Sequence, residues 1–423
     1  MLAFLITGTN QSQLPIMKKT VGYLVGVVLI FLVVVVAHER RDTRLLQARI
    51  AEAKNALDCM ARERQALADE VARLNQVRKG DRALIGQLWD LAHNARSKPA
   101  AMSEASKSSE YDISKLKDMA ATSGGNLDRV IHRILTPDRL HASLERHAAE
   151  PAFWVAAASM CKDLDQARQY LETAAARFPE SAIAQAALIE SRKGESKADA
   201  TTRMAIANLR KADPTSSLAD HYEAYFQFKN GDSAAGLQAL AAASEKDRHA
   251  DHRMELMMNR YQCLLENGCS DGGALALSAF TLSFDHLPMV REVSRQALDQ
   301  VQAASAAGQT ELALQPTDYL LRIGRNLSAS GRFLVYDRVG MELQQAALAA
   351  QHRLYDSAGN TAQVREVDAQ LGAVRARAVQ INAMAAGFGG VLAQMTDQEI
   401  VHYIESTLLQ GEFATLQRMK PTP

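Results

Sequence analysis

The sequence predicts an all-α protein: a single transmembrane helix, then a coiled coil, then an α-solenoid of helical hairpins. Three observations carry this. Alanine and leucine dominate a chain in which aromatic residues make up only 5%, and glycine and proline fall between apolar-periodic segments rather than inside them. Thr20 to Ala37 contains no charged side chain. Beyond it apolar residues recur first at heptad and then at ordinary helical spacing, with no alternating β-branched run to suggest a sheet.

The totals limit the partners. Among 423 residues, 48 basic side chains balance 48 acidic ones, so no excess of positive charge points to nucleic acid. The four cysteines, Cys59, Cys161, Cys263 and Cys269, are far apart and form no CxxC pair. They read as small buried hydrophobes, not as a disulfide framework or a zinc knuckle.

Residues 1–19 form a short leader. Within it Met17, followed by Lys18 and Lys19, resembles a bacterial export start, with residues 1–16 as an upstream extension. The transmembrane helix is placed at 20–38. Its uncharged core reaches roughly 27 Å at about 1.5 Å per residue, close to a hydrocarbon thickness. Basic residues flank both ends, Lys18 and Lys19 before it and Arg40, Arg41 and Arg44 after it, so the topology signals conflict. The short basic leader favours a signal anchor in the inner membrane with the body exported. The alternative is cleavage after Ala37 to release a soluble chain.

Residues 39–93 carry a heptad seam. Its oligomerisation positions are Leu46, Ile50, Leu57, Met60, Leu67, Val71 and Leu74. Charged Arg64, Arg78 and Asp81, together with Gly80 and Gly86, weaken the seam past Leu74. So narrow an apolar stripe needs a partner helix, most simply another copy of the same segment, with dimer and trimer both open. Residues 94–112, rich in Ser, Ala and Lys, read as a flexible linker. Ser114 and Lys117 have the Ser-x-x-Lys spacing of some acyl enzymes but lack its companion motifs.

From 113 to 419, ahead of a tail at 420–423, amphipathic helices of roughly a dozen residues follow one another. In "DLDQARQYLETAAARFPES", Ala167, Leu171 and Ala174 share a helix face and Pro179 lies just past the helix end. Pro214 follows 35 residues later, behind Ile206 and Leu209. Turns at Gly231, Gly268, Gly308, Gly359 and Gly411 each end one helix and precede polar residues that start another. This pattern resembles the tetratricopeptide (TPR) repeat, although Trp154 and Val155 stand where that family carries Leu-Gly. The resemblance implies stacked hairpins and a concave groove that binds peptides. The whole order of segments is similar to that of bacterial envelope TPR proteins.

The repeat register puts His221, Tyr225, Phe228 and Lys229, then Met258, Gln262 and Glu266, on the groove as partner-binding residues. His249 and His252 in "HADH" read as a solvated turn, because no third metal ligand follows by spacing. Gly387 to Gly390 read as a helix break, since a nucleotide loop would need a preceding strand. The expected function is a non-enzymatic, self-associating scaffold at the membrane that binds protein or peptide clients without a cofactor. The alternative is an enzyme with its site around Gly387 to His402.

Overall fold

Most of the helices begin at a side chain able to cap them. The computed structural model describes residues 109–419, and within them the side chains of all but 387–394. The expected leader, span (Thr20 to Ala37) and coiled coil, with Leu46, Ile50, Leu57, Met60, Leu67, Val71 and Leu74, lie outside the described residues, as do most of the linker and the tail. No helix among the described residues is long and apolar enough to cross a membrane.

The described residues form seventeen helices and no strand, so the all-α prediction holds. They are α1 (Ile113–Thr122), α2 (Leu127–Ile134), α3 (Pro137–Arg146), α4 (Pro151–Met160), α5 (Leu164–Arg177), α6 (Ala182–Ser191), α7 (Ala200–Ala212), α8 (Leu218–Lys229), α9 (Ser233–Ser244), α10 (Arg253–Glu266), α11 (Asp271–Phe280), α12 (His286–Ala306), α13 (Thr310–Ser330), α14 (Leu334–Ser357), α15 (Thr361–Gln394), α16 (Asp397–Gln410) and α17 (Glu412–Met419).

Their ends follow from local chemistry. Asp112, Asp199, Asp232 and Ser270 each accept a hydrogen bond from a first-turn backbone N–H, at 2.8, 2.7, 3.0 and 3.1 Å, which satisfies donors the helix leaves open. Thr396 and Glu399 cap α16 reciprocally. At the expected turns, Gly231, Gly268, Gly308 and Gly359 have φ of 83°, 94°, 74° and 72°, the left-handed region that glycine enters without steric cost.

Two expectations need correction. The dozen-residue length holds only as far as α11, because α12 to α15 run to 21, 21, 24 and 34 residues. Gly387 to Gly390 do not break a helix but lie within α15. Neighbouring turns supply the helical hydrogen bonds there, and in a helix this long the propensity cost of single glycines, about 1 kcal/mol each, is absorbed.

Packing divides the helices between two cores. The first is built from α1–α5, α10, α11 and the C-terminal helices, around Ile131, Phe153, Met160, Leu264, Ile381 and Ile404. The second is built from α6–α9 and α12–α15, around Ile189, Leu209, Tyr222, Leu240, Val293 and Leu327, and α6, α14 and α15 also reach the first core through Ile183, Met341 and Ile381. The chain leaves the second core after α9, crosses at 245–252 to place α10 and α11 in the first, and returns at 281–285 to begin α12. Helices remote in sequence therefore pack together: α4 on α10, α8 on α12, α9 on α13 and α11 on α16. A one-dimensional stack has only nearest-neighbour contacts.

The long helices of the second core approach closely. A methyl group added at Gly324 on α13 would lie 2.6 Å from the Gly340 carbonyl oxygen on α14. The absence of both side chains lets the two backbones touch.

Candidate functional site

The predicted groove residues do not come together on a free surface. α8 is central, with nine of its 12 residues buried, including His221, Tyr225 and Phe228. The Tyr225 hydroxyl donates to the Lys193 carbonyl at 2.7 Å, and the Lys229 ammonium donates to the carbonyls of Lys193 and Glu195, both at 2.9 Å. The Phe228 ring fills the space beside Gly236, where an added methyl would lie 2.8 Å from its Cδ1. This corrects the expectation for α8: its aromatic residues close the hairpin with α9 and the loop after α6.

The second predicted set, on α10, belongs to the other core. Met258 packs partly buried against it. Glu266 accepts from Arg146 at 3.0 Å and meets His147 at 2.7 Å, and Gln262 donates to Glu266 at 3.3 Å. Burial works against a charge on His147, but the Glu150 and Glu266 carboxylates outweigh it and raise the imidazole pKa. These contacts join α3 to α10.

The structure instead assembles a polar cluster at the junction of the two cores. The Arg253 guanidinium, at the start of α10, donates to the Glu190 carboxylate of α6 at 2.5 Å, with both side chains under 9% exposed. The Tyr222 hydroxyl donates to the other Glu190 oxygen at 2.6 Å. Around this pair lie three buried imidazoles: the His249 ring is 5.4 Å from His221 and 5.3 Å from His286. Burial, with Arg253 and the neighbouring rings adding to it, holds the His249 and His286 pKa values well below the ordinary range, and burial alone takes His221 down to about 4. His249 is thus no part of a solvated turn. Among the described residues, no three His, Cys, Asp or Glu side chains are arranged to hold a metal ion.

A third feature is a cleft of about 380 Å³ between α13, α14 and α15. Its lining is mainly polar: Leu321 and Val367 border it but are themselves buried, and the half-buried Tyr355 contributes its ring. Gln351 donates to Asp318 at 2.7 Å, which fixes both side chains, and Gln363, Glu366 and Gln370 line the α15 side. Burial first, then Asp318 and Glu366, raise the Tyr355 pKa, so its hydroxyl stays a donor. Arg322 and Arg325 are exposed on one face of α13, and neither has a hydrogen-bond or ion-pair partner among the described residues. Such a cleft can hold a polar polypeptide segment: the Tyr355 ring beside a side chain, amides for its backbone, and two guanidiniums for a carboxylate.

In the region of the alternative enzyme site, His402 is exposed and its ring nitrogen meets the Ser406 hydroxyl at 3.4 Å. No known family model, curated protein or solved structure matches the chain. The site is therefore read from its own geometry. Sequence spacing missed the cleft because its walls come from three helices whose true lengths were not legible.

Proposed function

We propose that the protein is a membrane-anchored, self-associating scaffold that holds protein or peptide partners on a TPR-like helical domain. The observation that carries this reading is the α13–α15 cleft, where two unpartnered guanidiniums stand beside the Tyr355 ring and a row of amides. Thr20 to Ala37 anchors the chain in the inner membrane, with the body on the extracytoplasmic side. The heptads from Leu46 to Leu74 bring copies together, and the linker gives the domains reach. Several clefts close to one membrane patch then bind a multivalent partner with avidity beyond that of a single cleft.

The test places a photocrosslinking amino acid at Gln363 in the full membrane-bound chain, with Leu164, 81% exposed, as control position. Partner adducts formed from 363 and lost in an Arg322→Glu/Arg325→Glu variant support the reading. The same adducts formed equally from 164, or kept in the variant, refute it. Leu57→Glu with Leu67→Glu tests self-association: chemically crosslinked oligomers should vanish while the urea midpoint of the helical domain is unchanged. Reporters fused to both ends test the orientation.

A further inference from the structure

We propose that the junction where the chain crosses between its two cores is a proton-operated latch. Protonation of His249 and His286 separates the crossing segments 245–252 and 281–285 and loosens the junction, while the helices on either side stay folded.

The geometry places one imidazole on or beside each crossing. His249 sits in the first, and His286 is the first residue after the second. Their rings are 5.3 Å apart and tilted by 31°, and the His286 ring stacks on Tyr336 of α14 at 5.7 Å. The crossings are also held by polar contacts and packing: Asn326 donates to the Lys246 carbonyl at 2.6 Å, and the Phe284 ring lies 5.4 Å from Phe333 and 5.5 Å from Tyr336. Ser217 donates its backbone N–H to the Arg248 carbonyl at 2.8 Å, and Ala250 donates to the Ser216 hydroxyl at 3.0 Å. His252, beside His249, has φ of 57°, and among the described residues it alone takes positive φ without being glycine. An L-residue keeps that conformation while its surroundings hold it there.

The neighbouring charges make the rings sensitive to a second proton. From α6, Glu190 is engaged by Arg253 and Tyr222. Asp213, following α7, is engaged by Arg248 at 2.8 Å and lies 3.8 Å from His252. Glu255 of α10 lies 3.7 Å from the other nitrogen of His252. Asp285, just before α12, is ion-paired with Lys193. From α8, His221 faces His249 and the Ser217 hydroxyl meets the His249 Nδ1 at 3.0 Å, and α13 contributes the Ser330 hydroxyl to the His249 backbone.

That leaves Asp251, whose Oδ2 is 3.7 Å from the His286 Nε2. A first proton on His286 falls on Nδ1, which already accepts from the Arg253 guanidinium at 3.2 Å and lies 4.0 Å from the engaged Glu190, so the Asp251 carboxylate on the far side of the ring offsets it only in part. A second, on His249, has no spare carboxylate and meets Arg253 and the protonated His286 as like charges. The His249 and His286 Nε2 atoms make no hydrogen bond in the closed arrangement, so opening exchanges buried nitrogens without hydrogen bonds for hydrated ones. Burial holds both rings neutral while the latch is closed.

The test is hydrogen exchange of the full chain, read by mass spectrometry between pH 7.5 and 4.5 and corrected for intrinsic rates. Protection in peptides covering 245–253 and 281–290 should fall with pH below about 6.5, approaching a hundredfold per unit for two protons taken up. Peptides from α13 and α14 should keep their protection over the same range. In His249→Gln/His286→Gln the dependence should flatten to less than tenfold per unit.

A wild-type slope below tenfold per unit overturns the proposal, and this measurement stands even if the variant does not fold. So does an unchanged slope in a folded variant, loss of α13 and α14 protection at the same pH, or a shift of the transition by EDTA, which would make the rings metal ligands.

Discussion

Replacing Arg253 by Met should be among the most damaging single substitutions in the helical domain. The Arg253 and Glu190 side chains are 7% and 8% exposed and 2.5 Å apart. Burial works against the Arg253 charge, but the Glu190 and Asp251 carboxylates more than offset it and keep the guanidinium protonated. Arg253→Met leaves the Glu190 carboxylate buried, with the Tyr222 hydroxyl as its remaining donor. Removing one partner of a buried pair costs about 3–5 kcal/mol, because the other charge stays desolvated and unpaired.

A urea m-value of about 3 kcal/mol/M converts that loss to a midpoint shift of roughly 1–1.7 M. The double variant Glu190→Leu/Arg253→Met removes both charges and should recover most of the loss, to within about 1–2 kcal/mol of the parent. Urea denaturation of the four chains, followed by far-UV circular dichroism, completes the cycle. An Arg253→Met loss under about 1 kcal/mol, or a double variant as unstable as the two singles added, would refute the view that the pair is dry and coupled.

Three further outcomes are expected. Gly340→Ala drives a methyl group into the Gly324 carbonyl and Ser328 and should cost about 1–3 kcal/mol, whereas Gly372→Ala, with nothing within 4 Å, should stabilise α15 by up to about 1 kcal/mol; thermal melts compare them. Burial pushes the Cys263 and Cys269 thiols up to about 12 but leaves Cys161 partly exposed, so iodoacetamide at pH 8 should alkylate Cys161 before Cys263 and Cys269, as read by peptide mass spectrometry. Stability should fall below about pH 6.5, because the unfolded chain then binds protons that three buried imidazoles refuse, while His147, whose pKa is raised, opposes this in part and loses its own contribution as pH rises above about 6.5. His221, down to about 4 when folded, accounts by itself for a loss of about 2 kcal/mol at pH 5, measurable as the urea midpoint against pH.

What the sequence disclosed was governed by local chemistry. The turns at Gly231, Gly268, Gly308 and Gly359 were legible because a positive φ and an adjacent cap are properties of a few consecutive residues. The burial of Ile206 and Leu209 was legible from helical spacing. His249 was not: its setting depends on Glu190, Arg253 and His286, and Glu190 and Arg253 alone are 63 residues apart in sequence. On α8, spacing suggested one free face, but α7, α9 and α12 cover it from several directions, which no periodicity within α8 could reveal. The cleft escaped for the same reason, since Arg322 is an unremarkable solvated arginine until α15 is known to reach past it.

The two crossings also change what holds the domain together. Were the hairpins simply stacked, each would be stabilised by its two neighbours, and stress at one end would fade along the array. Here α10 and α11 are inserted into the first core between segments that build the second, so neither core can be completed before the chain has crossed twice. Contacts such as α4 on α10 and α11 on α16 close long loops, and the entropy of closing them is recovered only when both cores form. Polar side chains at that junction therefore have a disproportionate effect. An apolar contact there would tolerate sliding of one core on the other, whereas the Glu190–Arg253 pair and the facing imidazoles fit a single register. The cleft is lined by α13, α14 and α15 and by none of the crossing residues, so it can keep its shape while the junction changes.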